Sequence, residues 1–209
     1  MKKLLYILFC TALISCNSKT EEIKEEEIVV FLESGTTIYE SDIYEVINTF
    51  FEDEKETNIL DGIDYEGKLL TVYPNSDYIH SEDLGEFGII TEEDRNFIFR
   101  QVGDLRKYDL KQEHISRFRL IPIDTMKVFM DYVMKQEKRN LEEISEKFQN
   151  QFQTNEFYII TIPLFSLDKK TAIITFGYQF VPNGGNGNLY VYKKENDKWI
   201  RTDKGFMWL

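Results

Sequence analysis

Hydrophobic and polar positions along this chain switch between a period near two and a period near 3.6, and the switches mark the elements. IVVFL at residues 28–32 is a compact β-type run. From Ser41, a residue suited to cap a helix, apolar side chains recur at Ile43, Val46, Ile47, Phe50 and Phe51, the spacing of a helix with one buried face. KLLTVY at residues 68–73 predicts a strand, stopped by Pro74-Asn75. Residues 75–96 are acidic and lack a period, which predicts a long loop; Phe97–Phe99 and Arg119–Ile123 are short strand candidates. Asp124 is placed to cap a helix whose stripe is Met126, Phe129, Met130, Val133 and Met134. Asn140 and Glu143 have capping-box spacing ahead of Leu141, Ile144 and Phe148 on one face. The polar KQEKRN between the two stripes reads as a hinge or as an irregular turn of one longer helix.

The last third is the clearest β pattern. FYIITIP (157–163), TAIITFGYQF (171–180), NLYVYKK (188–194) and KWIR (198–201) are separated by turn-rich segments. In the second run Ala172, Ile174, Phe176, Tyr178 and Phe180 share one face, while Thr175, Gly177 and Gln179 share the other, which predicts an antiparallel strand with one dry face. The short connections LDKK and KEND fit hairpins, so a meander is the economical topology. The expected fold class is α+β: a mainly antiparallel sheet with a C-terminal meander, packed against two or three helices. Residues 28–209 form one domain, with neither a repeat nor an interdomain linker.

The N-terminus carries an address. Lys2 and Lys3 precede an apolar stretch at residues 4–15, which is shorter than the roughly 20 residues a membrane-spanning helix needs. Leu13-Ile14-Ser15-Cys16 resembles the bacterial lipobox, with a branched residue three before the cysteine, a small one next to it and a polar stretch after it. Residues 1–15 are then a lipoprotein signal peptide, and Cys16 is the first mature residue and the site of lipid attachment, palmitate included. Residues 16–27, rich in glutamate, are a flexible tether, because one apolar residue cannot offset the entropy of ordering them. The expected location is the envelope of a Gram-negative bacterium, in the outer membrane, with the lipid bilayer as first partner through acylated Cys16.

Charge narrows the classes further. The 209 residues carry a formal charge of −12, which argues against nucleic acid as a partner and in favour of a protein with a basic surface. Loss of Lys2 and Lys3 takes that charge to about −14. Two cysteines exclude a disulfide scaffold, and two histidines leave little for a His-rich metal centre. The chain has no G-x-S-x-G elbow, P-loop, dinucleotide fingerprint or H-E-x-x-H, and no catalytic, cofactor or metal residue is assigned. His80 reads as a solvent-exposed loop residue, and His114 has no signature near it. Asp61, Asp64 and Glu66 around Gly62 lack the EF-hand order and read as a turn; Glu52, Asp53, Glu54 and Glu56 read as a solvated helix end. PNGGNGN at residues 182–188 reads as a hairpin loop, and Asn183, Gly184, Gly185, Asn186, Gly187 and Asn188 are the candidate recognition loop.

Ile162, Pro163, Phe165, Ser166 and Asp168, then Gly184 and Gly185, then Lys198 and Trp199 form a pattern. It resembles the tail of uncharacterised lipoproteins of the Bacteroidota, although the turn here lacks the paired cysteines some of those carry. The resemblance implies envelope placement and a sheet-forming domain and supplies no activity. The functional expectation is therefore a membrane-anchored, non-catalytic envelope lipoprotein that binds a protein or other envelope partner. The alternatives are an envelope hydrolase with an unrecognised site and an acidic immunity-type inhibitor of a basic toxin.

Overall fold

Local sequence chooses each element and packing then fixes its limits. In the computed structural model, which describes residues 28–31, 36–56, 67–73, 90–105, 108–136, 140–182 and 184–208, β1 (Ile28–Phe31) pairs antiparallel with β2 (Thr37–Tyr39) and leads into α1 (Glu40–Glu56). That helix begins before Ser41, and Asp42 rather than Ser41 closes its first turn by accepting the Tyr39 N–H at 3.0 Å. Ile43, Val46, Ile47 and Phe50 are fully buried, as their spacing predicts. The strand β3 (Lys68–Tyr73) coincides with the predicted run.

Next comes α2 (Glu92–Asp104), where the end of a loop and a strand at Phe97–Phe99 were expected. Thr91 accepts the Asp94 N–H at 3.0 Å and Asp94 reaches back to Thr91, a capping box that starts a helix and puts Phe97, Ile98, Gln101 and Val102 on its buried side. A three-residue apolar run has no period of its own, so the β preference of Phe-Ile-Phe yields to that cap.

A 3-10 turn at Gln112–His114 precedes β4 (Phe118–Ile121). The helix α3 (Ile123–Met134) has Pro122 at its cap position, whose carbonyl accepts the Thr125 and Met126 N–H groups at 3.0 and 3.3 Å. Asp124 lies inside the first turn with its side chain 91% exposed and is not the cap. In α4 (Leu141–Phe152) Asn140 caps as expected by accepting the Glu143 N–H at 3.4 Å. The Glu143 carboxylate accepts the Tyr132 hydroxyl at 2.8 Å, tying α4 to α3 instead of closing a box. The helix α3 thus ends at Met134 and α4 begins at Leu141, each with its own cap. Met134 and Leu141, the terminal residues of their helices, are exposed, and the two stripes are shorter than their apolar letters suggest.

The strands β5 (Glu156–Thr161), β6 (Leu164–Phe165), β7 (Thr171–Phe180), β8 (Gly185–Glu195) and β9 (Lys198–Trp208) complete the chain. One seven-stranded sheet runs in the order β4-β3-β5-β7-β8-β9, with β6 beside the first half of β7. It is the α+β fold with a C-terminal meander, and β3 adds parallel pairings to β4 and β5. One face, carrying Leu70, Tyr158, Ile160, Ile174 and Phe176, is covered by α1 and α2, with Phe50 and Phe176 ring centroids 4.9 Å apart. The other, carrying Leu69, Ile121, Phe157 and Ile159, is covered by α3 and α4 through Met126, Phe129, Ile144, Phe148 and Phe152. The expectation of one dry face for β7 is corrected: Ile173, Ile174 and Thr175 are all at 0% exposure, and only its ends, Thr171 and Tyr178 to Phe180, reach solvent. Both faces carry helices, so polar alternation has no wet side to mark.

Two glutamines finish the sheet where strands lack a neighbour. The buried Gln101 of α2 donates Nε2–H to the Phe165 carbonyl at 2.6 Å and accepts the Phe165 N–H on Oε1 at 2.9 Å, taking the place of a strand beside β6. Gln112 does the same on the outer edge of β4, donating to the Phe118 carbonyl at 2.8 Å and accepting the Leu120 N–H at 2.9 Å. An amide side chain carries one donor group and one acceptor in the arrangement of a peptide unit, and a capped edge cannot recruit another chain. Pro122, with no N–H, ends the same edge. Replacing Gln101 by Leu should cost about 3 kcal/mol in urea unfolding, because two buried backbone groups lose their partners. Gln112→Leu, on the exposed edge where water substitutes, should cost about 1 kcal/mol.

Candidate binding cleft

The strand connections open a cleft. After β3 the chain goes to α2 on the first face before returning as β4; after β4 it goes to α3 and α4 on the second face before returning as β5. Adjacent parallel strands thus send their chains to opposite faces of the sheet at their carboxyl ends. A cavity of about 270 Å³ lies there. Val72 comes from β3, Leu120 and Ile121 from β4, and Pro122 with Ile123 from the start of α3; Asp109, Leu110 and Gln112 close it from the segment that leads into β4.

The lining is mostly apolar and its polar groups differ in availability. The Gln112 amide is spent on β4 and on the Ile115 carbonyl at 2.9 Å. The exposed Asp109 carboxylate has no partner among the described residues. Behind this wall the segment is fastened to α1: the Tyr108 hydroxyl donates to Glu40 at 3.0 Å, Lys111 Nζ sits 2.9 Å from Glu40 Oε2, and the Lys111 N–H donates to the Tyr44 hydroxyl at 2.6 Å. Burial, ahead of the other influences, pushes the Tyr44 and Tyr108 hydroxyls above the usual phenol range, so both stay protonated, Tyr108 as the donor to Glu40 and Tyr44 as the acceptor of the Lys111 N–H. His114 is exposed and lies with its ring centroid 4.4 Å from that of Tyr44, a packing role in the same fastening.

The residues singled out by sequence are scattered. Cys16, His80, Asp61, Asp64, Glu66 and Asn183 lie outside the described residues. Gly185, Asn186, Gly187 and Asn188 are in β8, paired with Gln179, Tyr178, Gly177 and Phe176 of β7, so the predicted hairpin loop shrinks to a turn around residues 181–184. The Phe180 N–H donates to the Gly184 carbonyl at 2.9 Å across it. A Cβ at Gly185 would collide with the Tyr178 carbonyl, which is why a glycine stands there. The other residues of the tail pattern also build structure. Phe165 packs on Trp199 with centroids 6.0 Å apart; Ser166 donates to Asp168 Oδ1 at 2.7 Å, which also accepts the Lys170 N–H at 3.0 Å. Burial raises the Asp168 pKa, but these bonds to its ionised form outweigh that and leave it below the ordinary carboxylate value.

Glu54 corrects the reading of a solvated helix end. Its residue is 4% exposed and Oε1 lies 2.6 Å from Arg201 Nη1 of β9, while Arg201 also sits over the Tyr190 ring at 5.3 Å. Sequence period does place Glu54 on the stripe of Val46, Ile47, Phe50 and Phe51, four residues past Phe50, and that was the signal to use. Among the described residues no group of three or more His, Cys, Asp or Glu side chains converges on a metal position. The cleft wall at Asp109 to Gln112 had no motif to announce it, since its position follows from the order of strands. No known protein family, curated protein or solved structure matches this chain.

The Glu54 environment sets a pH dependence. Burial, only partly offset by Arg201, raises its pKa above the ordinary 4.5, so the folded state holds that proton more tightly than the unfolded chain does. The stabilisation is complete below pH 4.5 and is lost as pH rises through the raised value. The difference between the urea midpoints of the native chain and Glu54→Gln, measured from pH 4.5 upward, should shift in favour of the variant as the native carboxyl ionises, whatever its starting sign.

Proposed function

We propose that this chain is a lipid-anchored, non-catalytic lipoprotein of the Gram-negative cell envelope, held by acylated Cys16 on the acidic tether of residues 16–27, and that its α+β domain binds a partner with a basic surface. The observation that carries binding over chemistry is the make-up of the cleft. Its walls are apolar, its amide is committed to β4, and the free ionisable group among its described lining is the Asp109 carboxylate. A general acid or base needs a second convergent polar group to orient it, and a binding hollow does not. Two helices cover each face of the sheet, and the Glu40, Tyr44, Tyr108 and Lys111 contacts hold the cleft wall in place. The formal charge of −12 favours a cationic counterpart and speeds its encounter at low salt. The lipobox-like Leu13-Ile14-Ser15-Cys16 supports the anchor, and among the described residues no helix is long and apolar enough to cross a membrane.

Metabolic labelling tests the anchor. Grown with radiolabelled palmitate in a Gram-negative host, the native chain should carry label and partition into detergent, and Cys16→Ala should carry none. Label retained by the variant would remove Cys16 as the attachment point, and an unlabelled native chain would remove the lipoprotein reading altogether.

A further inference from the structure

The cleft between β3 and β4 has the features of a seat for one side chain. Its cavity of about 270 Å³ has room for a single large apolar group, and Val72, Leu120 and Ile123 offer that group an apolar floor from three different elements. It lies at the carboxyl ends of β3 and β4, from which the chain goes to elements on opposite faces of the sheet. The acid in its described lining is the exposed Asp109, which has no partner among the described residues, and the chain as a whole carries a formal charge of −12. Lys111 Nζ, on the segment that carries Asp109, lies 2.9 Å from Glu40, and Lys127 Nζ lies 3.9 Å from Asp124.

We propose that this cleft receives an aromatic or branched apolar side chain of a partner protein, flanked in that partner by lysine or arginine. The apolar side chain fills the hollow and supplies most of the affinity, in the way buried anchors dominate other interfaces. The flanking cations meet Asp109 within the field of an acidic chain and supply selectivity and encounter rate. The edge of β4 takes no part, because Gln112 and Pro122 already close it, so the partner docks by side chain and not by adding a strand. The inference rests on the binding reading of this domain and is independent of the anchor.

The test is a titration of the full-length chain in detergent micelles with acetyl-Lys-Phe-Lys-amide, followed through labelled isoleucine methyl groups. Ile121 and Ile123 report on the cleft, and the exposed Ile200 on β9, at the opposite edge of the sheet, is the control. Saturable shifts are expected at Ile121 and Ile123 and none at Ile200. The acidic analogue acetyl-Glu-Phe-Glu-amide and the anchorless acetyl-Lys-Gly-Lys-amide should each bind at least about fivefold more weakly. Asp109→Asn, at an exposed position, should weaken the basic peptide by about fivefold or less, the size of a surface charge pair, and added salt should remove that difference. Ile123→Trp, which fills the hollow, should abolish the shifts at Ile121; its thermal midpoint reports folding, and Asp109→Asn carries the test if it unfolds. Equal or tighter binding of the acidic peptide, shifts of the same size at Ile200, or phenethylamine alone binding as tightly as the tripeptide would each overturn the proposal, the last because it would make the cleft a small-molecule site. Palmitate labelling does not enter these titrations, so the anchor and the cleft fail separately.

Discussion

Burial of both faces of the central strands is the constraint from which most of this molecule follows. In β3, Leu69 and Leu70 point to opposite sides and are both buried; in β5, Phe157, Tyr158, Ile159 and Ile160 do the same. A sheet with no face to spare for water needs helices on both sides, and parallel pairing with crossover connections is how a chain delivers them. α2 therefore covers one face on the way from β3 to β4, and α3 with α4 covers the other on the way from β4 to β5. The hollow between the ends of β3 and β4 is the geometric consequence of those two paths diverging. The site is in this sense a by-product of covering the core.

The same constraint explains where polar chemistry is found. Several polar side chains in the core and at its margins act as substitutes for missing backbone or as paired charges. Gln101 takes the role of a strand beside β6, and Gln112 takes that role beside β4. Glu54 and Arg201 are joined between α1 and β9, and Glu40 collects Tyr108 and Lys111 to fasten the cleft wall to the same helix. Such pairs add little net stability against an apolar replacement, but each leaves a costly orphan if one partner is lost. They fix which helix lies over which strand, and through α1 they hold the wall that carries Asp109.

Periodicity made several elements legible. The stripe from Ile43 to Phe51 became α1, KLLTVY became β3, and the alternating runs after residue 156 became the meander. Other elements were hidden for definite reasons. The helix α2 begins at a Thr91–Asp94 box embedded in an acidic stretch, and its Phe97-Ile98-Phe99 core mimics a strand over three residues. The glycine and asparagine run reads as a loop because those residues tolerate turns, yet Gly185 is needed inside β8 for a close approach to Tyr178. Glu54 looked solvated because three other acids surround it, whereas its place on the apolar stripe decided its burial.

The amino-acid sequence by itself determined the α+β class, the meander, the acidic character and the residues expected to carry the anchor, because period, composition and short spacing are local properties of a chain. The tertiary structure decided the parallel register of β3 between β4 and β5, the helices on both faces, the burial of Glu54 beside Arg201 and the cleft bounded by Val72, Asp109 and Ile123. Those features join residues dozens of positions apart. Which strands become neighbours is set by the burial of both faces at once, a demand that no single segment expresses.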